Sequence, residues 1–410
     1  MDSQTQMEQA TATATRRPRG VAVVVLLAVS LSCYLAGIPV FAPRLQEHFS
    51  ITNRELGTLL SCQAIGGLVG FVSVLPLAGA LGMRRAASIS AAATGAGYAA
   101  AGLASSLLGL EVSFFVIGVF AGALFVSAMA LLVELFPEWK RRMVAIMLAT
   151  TSAPLIVFPV LAQWALVHLV DGGRVSLRVV VQGPLVVIGA VLASAGVTIW
   201  VTRLREGPRQ SDVTPVRWRE LVTLRTLVIF FLAALHGGAD TGVYSWLPKH
   251  MTSSFTSLPV PPGVVLSVCS VCYLVARLLQ ASIPEKRAQR AFLTVTGPLG
   301  GFIFLAGLWS GNPLAVAVAY PLAGAAWCLE FPALLAEITS GRSAEFGGVV
   351  AGTQVASFLG TIAQLNLVGW IADQTGSFRL ALTVPAVSFV AFGLIAGLTL
   401  ARRPTIAAFS

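Results

Sequence analysis

The sequence predicts an all-α integral membrane protein made of two similar six-helix halves. Hydrophobic residues make up 56% of the 410 residues, charged residues only 11%, and the mean hydropathy is +0.83. A soluble domain carries about a quarter charged residues, so this composition places the chain in lipid and leaves little room for a separate soluble domain. Twelve apolar segments and a correspondence between the two halves support the same fold class.

A helix that crosses a bilayer needs about 20 mostly apolar residues, and proline and glycine mark most joins between such segments here. Twelve spans are predicted, at residues 20–42, 56–81, 86–108, 112–135, 143–168, 180–202, 226–248, 262–283, 290–309, 313–338, 347–370 and 379–401. The connections between them are short, so we expect no extramembrane domain in the loops.

The positive charges predict the orientation of these spans. With the N-terminus in the cytoplasm, 20 of the 27 Lys and Arg residues fall on the cytoplasmic side, six fall outside, and Arg277 lies inside a span. Cytoplasmic loops are enriched in Lys and Arg, so both termini are predicted to be cytoplasmic. The same rule accounts for the net charge of +10, and no nucleic-acid partner is predicted.

The two halves share features at a nearly constant spacing of 201 to 205 residues. The matched sets are Gly37, Pro43 and Arg44 with Gly242, Pro248 and Lys249; Arg84 and Arg85 with Lys286 and Arg287; Leu131, Leu132 and Glu134 with Leu334, Leu335 and Glu337; and Asp171 and Arg178 with Asp373 and Arg379. Each half begins on the same side of the membrane, which predicts two parallel six-helix repeats.

A basic segment near the middle of the chain separates the halves. Residues 203–225 hold six arginines and are interrupted by Pro208 and Pro215. We therefore predict a disordered tail at 1–19, an N-terminal bundle at 20–202, a cytoplasmic linker at 203–225, a C-terminal bundle at 226–402 and a short tail at 403–410.

Six plus six parallel helices around a basic central segment resemble the major facilitator superfamily of secondary transporters. Local motifs that are similar to those of the family are a shortened basic motif after span 2, which lacks the usual Asp (Gly79, Gly82, Arg84, Arg85), a turn after span 11 (Gly369, Asp373, Thr375, Gly376, Ser377) and part of span 7 (Gly238, Asp240, Trp246, Leu247, Pro248). The resemblance implies a monomer that works by alternating access, with spans 1, 4, 7 and 10 lining the cavity.

Arg277 is the first candidate for substrate binding. It lies about six residues inside span 8, where a charge needs a partner or a water-filled cavity, and Tyr273 and Gln280 share its helix face. A guanidinium can hold a carboxylate through two parallel hydrogen bonds. Monocarboxylate-type members of the superfamily resemble this chain in having an Arg in this part of span 8. The alternatives are a structural ion pair and a side chain that reaches the cytoplasmic surface.

Three further ionisable residues are candidates for proton coupling. His236 and Asp240 are four residues apart and share one face of span 7, and a carboxylate and an imidazole in a low-dielectric cavity can exchange a proton near neutral pH. A hydrogen-bonded pair that locks the helix is the alternative. Glu330 in span 10 lies at a depth similar to that of Arg277, so a pairing between them is geometrically possible and would neutralise both.

Other polar residues complete the predicted site. Glu134 and Glu337 lie at the cytoplasmic ends of spans 4 and 10, where we expect them to bind basic loop residues and close the inner gate; the predicted gate residues are Glu134, Glu337, Arg84, Arg85, Lys286 and Arg287. Further substrate contacts are predicted for Gln63, Trp327, Gln364 and Asn366, with interhelical hydrogen bonding or packing as the alternative.

The function predicted from these residues is proton-coupled symport of a small organic anion such as a carboxylate. The alternatives are transport of a neutral solute such as a sugar, export of an amphiphilic compound, and a receptor or scaffold that moves no solute. We predict no enzyme activity, cofactor or metal site, because no nucleophile triad, metal-ligand spacing or phosphate-binding loop is present. The predicted location is a cell membrane, either the bacterial inner membrane or a eukaryotic plasma or organelle membrane.

Overall fold

The computed structural model describes residues 19–202, 223–283, 285–339 and 346–400, and in these ranges the chain is almost entirely helical, with no β-strand. The first half comprises α1 (19–32), a 3-10 helix (Tyr34–Gly37), α2 (Ile38–Phe49), α3 (Asn53–Leu81), α4 (Met83–Leu103), α5 (Leu107–Leu135), α6 (Lys140–Ala165) and α7 (Leu177–Val201). The second half comprises α8 (Leu224–Ser254), α9 (Pro262–Ser282), α10 (Glu285–Thr294), α11 (Thr296–Trp309), α12 (Pro313–Trp327), α13 (Glu330–Thr339), α14 (Phe346–Thr375) and α15 (Phe378–Thr399).

Ten helical segments of the described chain are long and apolar enough to cross a membrane. The two remaining predicted spans are also helical. The span at 86–108 lies in α4, whose many Ala, Gly and Ser residues lower its hydropathy, and the span at 290–309 is divided between α10 and α11. The nearly all-helical membrane fold is therefore confirmed. The number twelve, the repeat relation and the cytoplasmic termini stay predictions, and the tails and most of the linker lie outside the described residues.

Among the described residues, the chain forms two compact units. The first contains 19–36, 65–154 and 169–202, and the second contains 37–64, 155–168 and the described residues from 223 onwards. The predicted bundle boundaries at 202 and 226 stay a prediction.

The first unit is held together by close contact between α4 and α7. Gly95 and Gly189 face each other so closely that a Cβ on either would lie 2.5 to 2.6 Å from the carbonyl oxygen of the other. The hydroxyl of Ser88 donates to the carbonyl oxygen of Gly196 at 2.6 Å. Helices in lipid associate through small residues that let their backbones approach, which explains why α4 is rich in small residues.

In the second unit, the start of α3 is capped by a side chain from α14. The Asp373 carboxylate accepts hydrogen bonds from the backbone N–H groups of Asn53 (3.1 Å) and Arg54 (2.8 Å), and from the Asn53 side-chain amide (2.8 Å). The first N–H groups of a helix have no partner within it, and they attract a negative charge. Gly57 and Gly369 let the two helices meet there, since a Cβ on either would lie within 2.6 Å of a backbone oxygen.

We predict that Gly189→Ala destabilises the protein by about 1 to 3 kcal/mol, because its Cβ would be forced against backbone atoms that have no room to move. The matched variant is Gly397→Ala in α15, where the nearest atom would be 3.7 Å from the Cβ. It should be neutral or gain up to about 1 kcal/mol from helix propensity. Thermal unfolding in detergent, followed by tryptophan fluorescence, measures both, and equal midpoints would contradict the packing argument.

Candidate functional site

A break in a membrane span organises the candidate site. Helix α12 ends at Trp327 and α13 begins at Glu330, with Cys328 and Leu329 between them. The break follows from Pro332, which has no N–H to offer the Cys328 carbonyl four residues earlier. The Leu329 carbonyl beside the break accepts hydrogen bonds from the Ala333 N–H at 3.4 Å and from the side-chain amide of Gln280 in α9 at 2.9 Å.

The first polar group of the site surrounds Asp240 in α8. Its Oδ1 accepts hydrogen bonds from the Tyr273 hydroxyl in α9 and from Trp327 Nε1–H, the latter at 3.2 Å, and the indole N–H also contacts the Tyr273 hydroxyl. Trp327 is fully buried and stacks on Phe389 with 4.1 Å between ring centroids. The Asp240 side chain is only partly buried, so this group joins three helices beside an accessible carboxylate.

The second polar group is a buried pair of His236 and Glu330. His236 Nδ1 and Glu330 Oε2 are 2.8 Å apart, and both side chains are almost completely inaccessible to solvent. The imidazole is enclosed by the rings of Phe331, Phe389 and Phe392. A buried carboxylate without a partner is costly, and one proton on this pair decides whether it is neutral or charged.

Gly297 in α11 makes room for the Glu330 carboxylate. A Cβ at position 297 would lie 1.5 Å from Glu330 Oε1, the oxygen that has no hydrogen-bond partner among the described residues. The carboxylate therefore packs directly on the backbone of α11. Only glycine is compatible with this position of Glu330.

Arg277 extends the site along α9. Its guanidinium carbon lies 5.7 Å from the centroid of the Tyr273 ring, and the side chain is exposed. At 100° per residue, Tyr273, Arg277 and Gln280 share the face opposite an exposed apolar stripe of α9, which comprises Val268, Val271, Val275, Leu278 and Leu279. Within the described ranges, Arg277 makes no ion pair or hydrogen bond, so its five N–H donors are available to a ligand.

Two pairings that the sequence allows are not formed in the structure. His236 pairs with Glu330 instead of Asp240: four residues separate the two side chains by about 6 Å along α8, and each meets a different neighbouring helix. Glu330 makes no salt bridge to Arg277, because its Oε2 is bonded to His236 and its Oε1 faces Gly297.

The uncharged residues predicted to contact substrate have mainly interhelical partners. Gln280 bonds the Leu329 carbonyl, and Gln364 is buried and donates to the Ser388 hydroxyl at 2.9 Å. Asn366 accepts from the Thr58 hydroxyl and donates to Ser61 and to the Ile362 carbonyl. Gln63 is half-buried with no hydrogen bond to a described residue. A role in substrate binding stays a prediction for all four.

The predicted gate residues at the ends of α4, α5 and α13 are only partly described. Arg84 donates to the carbonyls of Trp200 (2.8 Å) and Thr202 (2.7 Å), so it caps the C-terminal end of α7. Arg85 lies over the Trp200 ring at 5.8 Å. Glu337 bonds Arg225 and, at 3.0 Å, Gln289. The side chains of Lys286 and Arg287 are not among those that the structure describes. The gating role of all these residues, including Glu134, stays a prediction.

Sequence reasoning missed three features that shape the site. The break at Leu329 had a signal in Pro332, which lies inside an otherwise apolar span. The role of Gly297 had no signal in the sequence, because only the folded structure shows which carboxylate approaches it. Gln280 was recognised as polar and on the face of Arg277, but its partner is a backbone carbonyl that sequence does not mark.

Comparison with known proteins supports the fold. The bacterial homologue of the human lysosomal transporter Spinster, solved in an inward-facing and unoccupied conformation, superposes with a TM-score of 0.68 at 15% identity, covering 93% of this chain and 95% of that one. The Escherichia coli fucose:proton symporter FucP (N162A) superposes with a TM-score of 0.62 at 16% identity, covering 92% and 98%. No curated protein sequence matches significantly.

The sequence profile of the family itself gives the assignment. It is the profile described as the Major Facilitator Superfamily, and it matches residues 22–354. The match covers well over half of the chain, and its ends fall in the first apolar span and in α14. The chain therefore belongs to the Major Facilitator Superfamily of transporters.

Proposed function

We propose that this protein is a proton-coupled secondary transporter of a small organic anion, with a carboxylate as the recognised group. The observation that carries the proposal is the Arg277 guanidinium, which is exposed on the polar face of α9 and makes no ion pair within 4 Å with a described residue. A permanent charge inside a membrane span is costly unless it serves a ligand or a water-filled path. The guanidinium geometry suits a carboxylate that binds with two hydrogen bonds.

In this proposal, the His236–Glu330 pair carries the proton. The pair is buried, so a change in its protonation alters a net charge in a low-dielectric environment. Asp240 connects the proton-binding pair with the anion-binding residue. It shares helix α8 with His236, and its hydrogen bond to Tyr273 joins it to α9, the helix that carries Arg277. Proton uptake and anion binding would then offset each other's charge during transport.

The transport cycle proposed here is alternating access by two parallel six-helix halves of a monomer, with twelve spans and both termini in the cytoplasm. Support comes from the family assignment and from the membrane-length helical segments of the described chain, five in each half. The proposed location is the bacterial inner membrane or a eukaryotic plasma or organelle membrane. Gln63, Gln364 and Asn366 are proposed to line the path, and Glu134 and Glu337 to act at the inner gate.

A neutral solute such as a sugar is the second candidate. The observation in its favour is the partly exposed Asp240 carboxylate beside the indole of Trp327, since a carboxylate accepts hydrogen bonds from hydroxyls and an aromatic ring packs on an apolar sugar face. FucP, whose fold is similar, is titled a fucose:proton symporter. In this case, Arg277 would have a structural role.

We predict that Arg277→Gln lowers carboxylate uptake by about 10- to 100-fold, the effect of losing hydrogen bonds to a charged group. Arg277→Lys should retain a small fraction, because it keeps the charge but loses the paired donors. The matched control is Arg379→Gln, since Arg379 also lies 5.7 Å from an aromatic ring, that of Trp309, and its loss should leave uptake within about threefold of wild type.

The measurement is counterflow in proteoliposomes with a panel of short carboxylates, and with a panel of neutral sugars as competitors. Uptake by Arg277→Ala at the wild-type rate would overturn the anion proposal. Competition by sugars and not by carboxylates would establish the second candidate. Counterflow of neither class, with folded protein, would favour a receptor or scaffold.

We predict that Gly297→Ala abolishes proton-driven accumulation, because the new methyl group displaces the Glu330 carboxylate from His236. Gly301→Ala in the same helix is the control, since its Cβ would press on the Ala386 carbonyl at 2.7 Å and not on Glu330. Both variants should lose about 1 to 3 kcal/mol of stability through overpacking, so unfolding midpoints are compared first. Equal loss of accumulation in the two variants would show that the effect is one of packing alone.

A further inference from the structure

Helix α9 contacts the chain on both sides of the break between α12 and α13. The Tyr273 hydroxyl bonds Asp240 and contacts the indole of Trp327, the last residue of α12. Seven residues later, Gln280 donates to the carbonyl of Leu329, the residue before α13 begins. Arg277 lies between these two contacts on the same face of α9.

The contact between α9 and α12 is tight enough to transmit a movement. A Cβ at Gly324 would lie 2.4 Å from Cε1 of Tyr273, so the two helices already touch at this level. Closer to the break, the Cys328 thiol points to the Tyr273 carbonyl with 3.9 Å between sulfur and oxygen. A shift of α9 therefore reaches the break directly.

Glu330 follows the break without an intervening residue. The Leu329 carbonyl belongs to the peptide group that includes the Glu330 nitrogen, so its hydrogen bonds from Gln280 (2.9 Å) and from the Ala333 N–H (3.4 Å) together restrain the orientation of that peptide plane. The Glu330 carboxylate is placed between His236 and Gly297 with 2.8 Å to the imidazole, and it has no space to adjust toward α11. A rotation of the peptide at 329–330 must change this carboxylate's contact with His236.

We propose that Gln280 is a positioning residue that couples anion binding at Arg277 to protonation of the His236–Glu330 pair, by holding the break between α12 and α13. The inference rests on the proposed function and deepens it. An anion that binds Arg277 displaces the segment of α9 between Tyr273 and Gln280. Through Gln280 the displacement reaches the Leu329 peptide, and through that peptide it reaches Glu330.

The groups that face the pair are few. From α8 they are His236 itself and Asp240. The other titratable groups are Cys328 at the break and Arg277 in α9. The packing partners from α11 and α15, Gly297 and the rings of Phe389 and Phe392, are uncharged. Among these groups, Arg277 is the one that an incoming anion would neutralise.

The test compares Gln280→Met with Gln182→Met. Methionine has a length close to that of glutamine but cannot donate a hydrogen bond. Gln182 makes an equivalent contact in the first unit, where its side-chain amide donates to the Ala104 carbonyl at the end of α4 at 2.6 Å. Both variants remove a side-chain donor from a backbone carbonyl, but only Gln280 contacts the break.

The first measurement needs no substrate. Infrared spectra recorded across pH follow the carbonyl band of protonated Glu330, which is assigned by its loss in Glu330→Gln. Gln280→Met should displace the midpoint of this band by at least about half a pH unit from wild type, and Gln182→Met should not. An unchanged midpoint in Gln280→Met overturns the inference, whatever the transport assays show.

The second measurement compares proton-driven accumulation with solute exchange in proteoliposomes, using lactate and pyruvate as probes. In Gln280→Met, the ratio of proton-driven accumulation to solute exchange should fall by about tenfold or more, as expected when anion binding and protonation are no longer coupled. Gln182→Met should lower both modes equally or neither. Equal effects in Gln280→Met contradict the inference, whereas absence of carboxylate exchange in the wild-type protein contradicts the proposed function and leaves the infrared result to decide the coupling.

Discussion

A backbone carbonyl inside a membrane span needs a donor from the protein, because lipid supplies none. This constraint explains the centre of the candidate site. Pro332 cannot donate to the Cys328 carbonyl, and the span opens between Trp327 and Glu330; the next carbonyl, that of Leu329, accepts from the Ala333 N–H and also from Gln280 of the neighbouring helix. The break and its glutamine then decide where the polar side chains on each side of it lie.

The same reasoning applies to the charged groups. The His236–Glu330 pair is buried to a degree at which a single carboxylate would be strongly unfavourable, and each member is the partner of the other. Asp240 has its partners in Tyr273 and Trp327, while Arg277 stays exposed on the polar face of α9. The structure thus divides four ionisable residues into a closed pair, a hydrogen-bonded carboxylate and an accessible cation. This division favours separate places for the proton and for the substrate.

Small residues determine how closely these elements approach one another. Gly95 and Gly189 bring α4 and α7 into backbone contact in the first unit, and Gly57 and Gly369 do the same for α3 and α14 in the second. Gly297 serves a different purpose, since the space it leaves is filled by the Glu330 carboxylate. In a protein without a hydrophobic driving force between its helices, such contacts provide the packing energy.

The sequence by itself determined the membrane environment, the helical fold and the superfamily, because hydropathy and the length of apolar segments are set by composition along the chain. It also identified Arg277, His236, Asp240, Glu330 and Tyr273 as ionisable or polar residues that a span does not carry without a reason. Only the tertiary structure decided which of them meet. A pairing depends on which neighbouring helix each side chain meets, and His236 and Asp240, about 6 Å apart along α8, meet partners on different helices.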